Sequence, residues 1–138
     1  MIRNNRESRE KELIILSKTL MIVDDSRIVH AKMKQLLEGS DFEIIGFCRT
    51  GEDAIQSYRA YRPDLVTMDI VMPGMDGLEL VSALRENGNN IPVLMITAKD
   101  AFDDMRSGFA SGTDDYMVKP VNINEMVLRV GALLRRAR

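Results

Sequence analysis

The stretch MIVDDSRIVH, residues 21–30, decides the fold. An apolar run of strand length ends on two adjacent aspartates, Asp24 and Asp25, and Ser26 then opens a stretch of helical period. The strand reads as Leu20 to Val23, and Ser26 can cap a helix whose inward face is Ile28, Val29, Met33, Leu36 and Leu37, stopped at Gly39. Ending a core strand on two like charges calls for a reason, and the rest of the chain supplies one.

The same strand-then-helix unit repeats outward from this stretch. Ile44, Ile45 and Phe47 mark a second strand, followed by a helix carrying Ala54, Ile55, Tyr58 and Tyr61 that Pro63 ends. Leu65 to Met68 form a third strand ending on Asp69. After a loop holding Pro73, Gly74 and Gly77, a third helix is lined by Leu78, Leu80, Val81 and Leu84. Ile91 to Ile96 is so apolar that it predicts a fourth strand covered on both faces. A weaker helical pattern runs from Ala101 to Ser111 with Met105 and Phe109 inward. Tyr116 to Val118 reads as a short fifth strand, and Asn122 can cap a last helix with Ile123, Met126, Val127, Val130, Leu133 and Leu134 inward. Strict alternation predicts an α/β fold: a five-stranded parallel sheet, doubly wound, with five helices.

Bulk properties narrow the function classes. At 138 residues and 45% hydrophobic content the chain is sized for one domain. A formal net charge of -2 gives no global basic field, so no direct nucleic-acid contact is expected from this chain. The lone cysteine, Cys48, excludes an internal disulfide and a multi-cysteine metal site, and reads as a small core hydrophobe in a reducing, cytoplasmic setting. Arg3, Arg6 and Arg9 precede the apolar stretch Leu13 to Val23, but Ser17, Lys18 and Thr19 break it, Glu7, Glu10 and Glu12 load its front, and no cleavage pattern follows. That predicts no signal peptide and no membrane span. Residues 1–18 read as an extension in which Leu13 to Leu16 form either a short docking helix or part of a frayed tail, and residues 19–138 as the domain.

The aspartates now acquire a setting. In open parallel sheets, sites form beyond the carboxyl ends of the strands. Asp24 and Asp25, Asp69, Thr97 and Lys119 all stand at such ends. If the strand order is 2-1-3-4-5, strands one and three are neighbours and three carboxylates meet. A hard divalent cation resolves their repulsion, and Mg²⁺ is typically held by one or two carboxylates together with phosphate oxygens. A carboxylate beside Mg²⁺, a hydroxyl and an ammonium make a site for a phosphoryl group: Asp69 as nucleophile, Thr97 as donor to a phosphoryl oxygen, Lys119 as the compact positive charge.

In order and spacing, MIVDDS, VTMDIVMPGMDG, VLMITA and YMVKP resemble the four signatures of the response-regulator receiver domain, from about Thr19 to the C-terminus. The resemblance implies a flavodoxin-like sheet of order 2-1-3-4-5 and a phosphoacceptor signalling domain rather than an enzyme. It implies Asp69 as phosphoacceptor, Asp24 and Asp25 as the acidic metal pair, and the Val71 carbonyl as a further Mg²⁺ ligand. Thr97 and Tyr116 would be a coupled switch pair, and the Lys119–Pro120 bond would be cis. Phosphate would come from a histidine kinase or phosphotransfer protein. The face made by the fourth helix, fifth strand and last helix would then bind a protein partner or a second copy. Val71 and Lys99, each two positions beyond a site residue, would flank the water path to the acyl phosphate and tune its lifetime.

Competing readings sit beside these. The tail GTDDYMVKPVNINEMVLRVGALLRRAR resembles receivers joined to winged-helix output domains, so a longer DNA-binding transcription regulator is the alternative. An Mg²⁺-dependent phosphatase of the haloacid dehalogenase group would want its two acids spaced D-x-D, and here they are adjacent. His30 reads as an ordinary surface or boundary residue. The arginines at 129, 135, 136 and 138 complement the dipole of the last helix more simply than they mark a nucleic-acid patch.

Overall fold

A computed structural model describes residues 18–86, 88–98 and 113–137. Its strands are β1 (Lys18–Val23), β2 (Phe42–Cys48), β3 (Leu65–Met68), β4 (Val93–Thr97) and β5 (Asp115–Val118), and its helices are α1 (Arg27–Leu37), α2 (Gly51–Tyr61), α3 (Gly77–Glu86) and α4 (Ile123–Arg136). The strands form one sheet in the order β2-β1-β3-β4-β5, and every adjacent pair is parallel. Four helices are thus described where the sequence predicts five. The helix expected over 101–111 and the extension up to residue 17 lie outside the described residues.

Side chains on a strand alternate between faces, so a strand covered on both sides must be apolar throughout. In β1, Met21 and Val23 enter a core shared with Ala54 of α2 and Leu80, Val81 and Leu84 of α3. Leu20 and Ile22 enter a second core, with Met33 and Leu37 of α1 and Met126, Val130 and Leu133 of α4. β4 divides the same way, Val93 and Met95 to the first and Leu94 and Ile96 to the second. Burying such a side chain stabilises by roughly 1.5–3 kcal/mol. The two cores therefore anchor the middle of the sheet firmly enough to hold a costly cluster at its rim.

Helix ends follow the expected chemistry. Ser26 Oγ accepts from the Val29 N–H at 3.3 Å and Asn122 Oδ1 from the Glu125 N–H at 3.1 Å, capping α1 and α4. Thr50 Oγ1 caps α2 through the Asp53 N–H at 3.1 Å. α2 ends at Arg62, in the left-handed region at φ 45, immediately before Pro63.

Two inward assignments are corrected. Ile28 is 79% exposed, because the stripe of α1 against the sheet is Val29, Met33 and Leu37, spaced by four, and Ile28 sits about 100° around from it. Tyr61 is 60% exposed, since α2 is ending there and the chain turns away. β2 also carries an irregularity the pattern did not show: Leu20 pairs with Ile44 but Met21 with Gly46, leaving Ile45 as an extra residue on this edge strand.

Candidate functional site

The last ladder bond of each strand sets the rim. Just past β1, the Asp24 N–H donates to the Cys48 carbonyl at 2.9 Å; just past β3, the Asp69 N–H donates to the Val23 carbonyl at 2.9 Å; just past β5, the Lys119 N–H donates to the Thr97 carbonyl at 2.8 Å. Each chemically interesting side chain is thereby fixed by the neighbouring strand rather than by a loop. Asp24 and Asp69 are buried, Asp25 is half-buried, and carboxylate oxygens of all three lie within 4.8 Å of one another.

Lys119 Nζ spans the cluster, donating to Asp24 Oδ2 at 2.8 Å and to Asp69 Oδ2 at 2.9 Å. Burial works against its charge, but the hydrogen bonds to Asp24 and Asp69 and the charges of both outweigh burial and raise its pKa above the ordinary lysine value. The free oxygens are oriented too. Asp24 Oδ1 accepts the Ser26 N–H at 2.9 Å, and Asp69 Oδ1 accepts the Val71 N–H at 3.2 Å. Two carboxylates at this spacing repel by about 3–4 kcal/mol at an effective dielectric near 20. Among the described residues Lys119 supplies the ammonium hydrogen-bonded to these carboxylates, while the Arg49 Nε–H donates to the Asp25 backbone carbonyl at 3.2 Å, so the three carboxylates still outnumber the cations beside them. With oxygen donors only, the three aspartates fit a hard divalent ion such as Mg²⁺.

Thr97, at the end of β4, is buried, and its Oγ1 has no hydrogen-bond partner among the described residues. A buried hydroxyl without a partner costs stability, so its persistence suits a transient acceptor. Tyr116 pairs with Met95 across β4 and β5, which puts it one diagonal step from Thr97 on the same face of the sheet, half-buried. The Lys119–Pro120 bond is cis. Val71 turns its side chain out, 62% exposed, over the acidic cluster's loop. Lys99 lies outside the described residues.

His30 stands apart from the carboxylates: its ring packs on Phe47 with centroids 5.0 Å apart, and Nε2 is buried without a partner among the described residues. Cys48 is buried, and burial pushes its thiol pKa up, as suits a core hydrophobe.

Gly77 is a positioning residue the motif reading passed over. The Gly77 N–H donates to the Ile70 carbonyl at 2.9 Å, and a Cβ built on Gly77 would overlap the Asp69 carbonyl oxygen and lie 2.9 Å from the Ile70 Cα. Only glycine lets the start of α3 press against the backbone of Asp69. Asp76 caps that helix, its Oδ1 accepting the Glu79 N–H at 2.8 Å. An Asp-Gly pair directly before an apolar helical stripe was the available signal.

Among the described residues no helix is long and apolar enough to cross a membrane. A family model described as the response regulator receiver domain matches residues 20–131. The transcriptional regulatory protein PrrA of Mycobacterium tuberculosis is 40% identical over 122 residues, covering 88% of this chain and 52% of PrrA. Response regulator MprA of Mycolicibacterium vanbaalenii is 35% identical over 117 residues, covering 85% and 50%. The chain spans about half the length of these curated relatives. Among solved structures, the receiver domain of Francisella response regulator 1452 is 28% identical with a TM-score of 0.79, covering 88% of this chain and 99% of that one. A chain of the CheX–CheY–BeF3–Mg complex from Borrelia burgdorferi is 30% identical with a TM-score of 0.76, covering 84% and 88%.

Proposed function

This chain belongs to the response regulator receiver domain family, and from that premise we propose that Asp69 takes a phosphoryl group from a histidine kinase or phosphotransfer protein and that the domain then presents an altered face to a partner. The observation that carries this reading is Lys119 Nζ bridging Asp24 and Asp69 inside a three-carboxylate cluster. Asp24, Asp25, Asp69 and the Val71 carbonyl would hold Mg²⁺, whose charge, when it is bound, offsets the negative charge gathered around the phosphoryl oxygens.

The step balances without a further reactant. An Asp69 carboxylate oxygen forms a bond to phosphorus as the bond to the phosphohistidine nitrogen breaks, and the nitrogen keeps the electron pair and takes a proton. Lys119, already hydrogen-bonded to Asp69, holds the oxygen in place and then pairs with the phosphoryl group. The Thr97 hydroxyl, without a partner before the reaction, donates to a phosphoryl oxygen. Its movement toward the new group leaves room for the Tyr116 ring to turn inward, and this biases the face of β5 and α4. The domain catalyses only its own phosphorylation and dephosphorylation.

A second reading has its own support. Relatives named as transcriptional regulatory proteins are about twice the span matched here. In a longer protein of that kind the switched face would act on a DNA-binding segment, and the expectation of no nucleic acid would hold only for this domain. The test of the common chemistry is intact mass with Mg²⁺ and acetyl phosphate, beside Asp69→Asn. One phosphoryl adduct on the parent, dependent on Mg²⁺ and missing from the variant, is the expected result. An adduct that survives Asp69→Asn would overturn the assignment.

A further inference from the structure

The carboxyl end of β2 holds the acidic pair from the side. Consecutive residues there take consecutive aspartates: the Cys48 carbonyl accepts the Asp24 N–H at 2.9 Å, and the Arg49 Nε–H donates to the Asp25 carbonyl at 3.2 Å. Asp25 needs such a hold more than Asp24 does. It stands beyond the last ladder bond of β1 and before Ser26, the cap of α1, so its peptide falls between the sheet and the helix.

The same short turn also touches the loop that follows Asp69. A Cβ built on Gly51 would lie 3.0 Å from both Cβ and Sδ of Met75, so the Met75 side chain rests directly on the start of α2. Thr50, between the two contacts, is itself fixed by capping α2. Residues 49–51 thus brace both loops that carry the candidate metal ligands, one through a hydrogen bond and the other by packing. A cation is a costly choice for this place. The Arg49 guanidinium is exposed and has no ion pair among the described residues, and a positive charge beside three carboxylates competes for them with a divalent ion. Its charge alone therefore works against the site. We propose that Arg49 is a positioning residue for the metal site: its Nε–H, by holding the Asp25 carbonyl, keeps the Asp25 carboxylate turned toward Asp24 and Asp69. This role rests on Mg²⁺ being held by the three aspartates. Hydrogen bonds from a charged donor are stronger than neutral ones, and the partners behind metal ligands set how those ligands are oriented.

Mg²⁺ titration of the full chain by calorimetry, without a phosphodonor, separates the hydrogen bond from the charge. Glutamine places an amide N–H as many bonds from Cα as arginine places its Nε–H, whereas methionine places a methyl group there. Arg49→Gln and Arg49→Met lose the same charge, and Arg49→Met is expected to bind Mg²⁺ about tenfold more weakly than Arg49→Gln. In the metal-free chain the amide of Ser26, which donates to Asp24 Oδ1, should exchange with solvent faster in Arg49→Met than in Arg49→Gln. Equal Mg²⁺ affinities in the two variants, or tighter binding by Arg49→Met, would overturn the proposal, because Arg49 would then act through its charge alone. A parent that binds no Mg²⁺ would overturn the metal reading itself, and this role with it; a parent that binds beside two variants that bind alike would overturn only the role of Arg49.

Discussion

The two ends of the sheet use the same residue type in opposite ways. At the amino end, the exposed carboxylates Asp114 and Asp64 each have partners of their own: Asp114 takes the Arg85 guanidinium and the Val93 N–H, both at 2.8 Å, and Asp64 takes the Thr19 N–H and hydroxyl at 2.8 and 3.0 Å. At the carboxyl end, three carboxylates share one ammonium. Aspartates at the amino end tie loops to strands, and nothing remains for a ligand to add. Aspartates at the carboxyl end are held together against their repulsion, and a cation or a reaction that brings positive charge relieves it. An aspartate marks a reactive site when its neighbourhood leaves its charge uncompensated.

The largest effect should come from removing the ammonium that bridges Asp24 and Asp69. Lys119→Gln is expected to slow Mg²⁺-dependent formation of the acetyl phosphate adduct about 100-fold or more, by analogy with loss of a preorganised donor at a developing charge. A rate within about threefold of the parent would break the contrast at its centre. The same variant reads out the linkage in stability. Because the folded state raises the pKa of Lys119 above its ordinary 10.5, its contribution is complete at lower pH and is lost as pH rises through the folded value. The gap in urea midpoint between parent and variant should therefore be level near neutrality and narrow once the pH passes about 10.5. A gap that widened with pH would mean the ammonium is not what the cluster stabilises.

Gly77→Ala comes next. The added methyl meets backbone rather than a movable side chain, so the start of α3 must shift away from Asp69. The expected cost is about 1–3 kcal/mol in urea unfolding, with slower adduct formation because the Asp69 loop moves with it. A loss of stability with normal phosphorylation would show that the loop is set independently of this close approach. At the opposite end, Asp114→Ala should cost about 1 kcal/mol, discounted for its exposure, and leave the adduct rate unchanged. An altered rate there would mean that the two ends are coupled through β4 and β5.

What could be read from the chain alone divides along similar lines. The two-sided burial of β1 and β4 and the placing of Asp24, Asp25, Asp69 and Lys119 at strand ends follow from patterns that a parallel sheet enforces, continuous apolar runs and polar residues at strand ends, whereas the sheet order that brings those residues together was implied only by the resemblance of the four motifs to receiver domains. Where a residue's place depends on a few tens of degrees of helix phase, the pattern is silent. Ile28 and Val29 are adjacent and both apolar, yet only Val29 meets the sheet, and nothing short of the packed structure chooses between them. The extra Ile45 in β2 is invisible for a related reason, since an edge strand tolerates a slipped residue that a central strand would not. Gly77 was legible as a loop glycine but not as the residue that lets α3 touch Asp69, because a close approach between backbones leaves no trace in hydropathy.

The finest test of the contrast is Thr97→Val, where a small change in stability and a clear change in chemistry are expected together. The two side chains have the same shape, and the hydroxyl that is lost has no partner to leave behind. Removing an unsatisfied buried hydroxyl relieves a desolvation penalty, so the urea midpoint should hold within about 0.5 kcal/mol or rise. If the hydroxyl is reserved for the phosphoryl group, the adduct should form more slowly, and the response of the Tyr116 ring to phosphorylation, followed by its fluorescence, should weaken. A destabilised variant would show instead that Thr97 is bonded in the resting protein, and it would then belong with the satisfied aspartates of the other end rather than with the uncompensated carboxylates beside it.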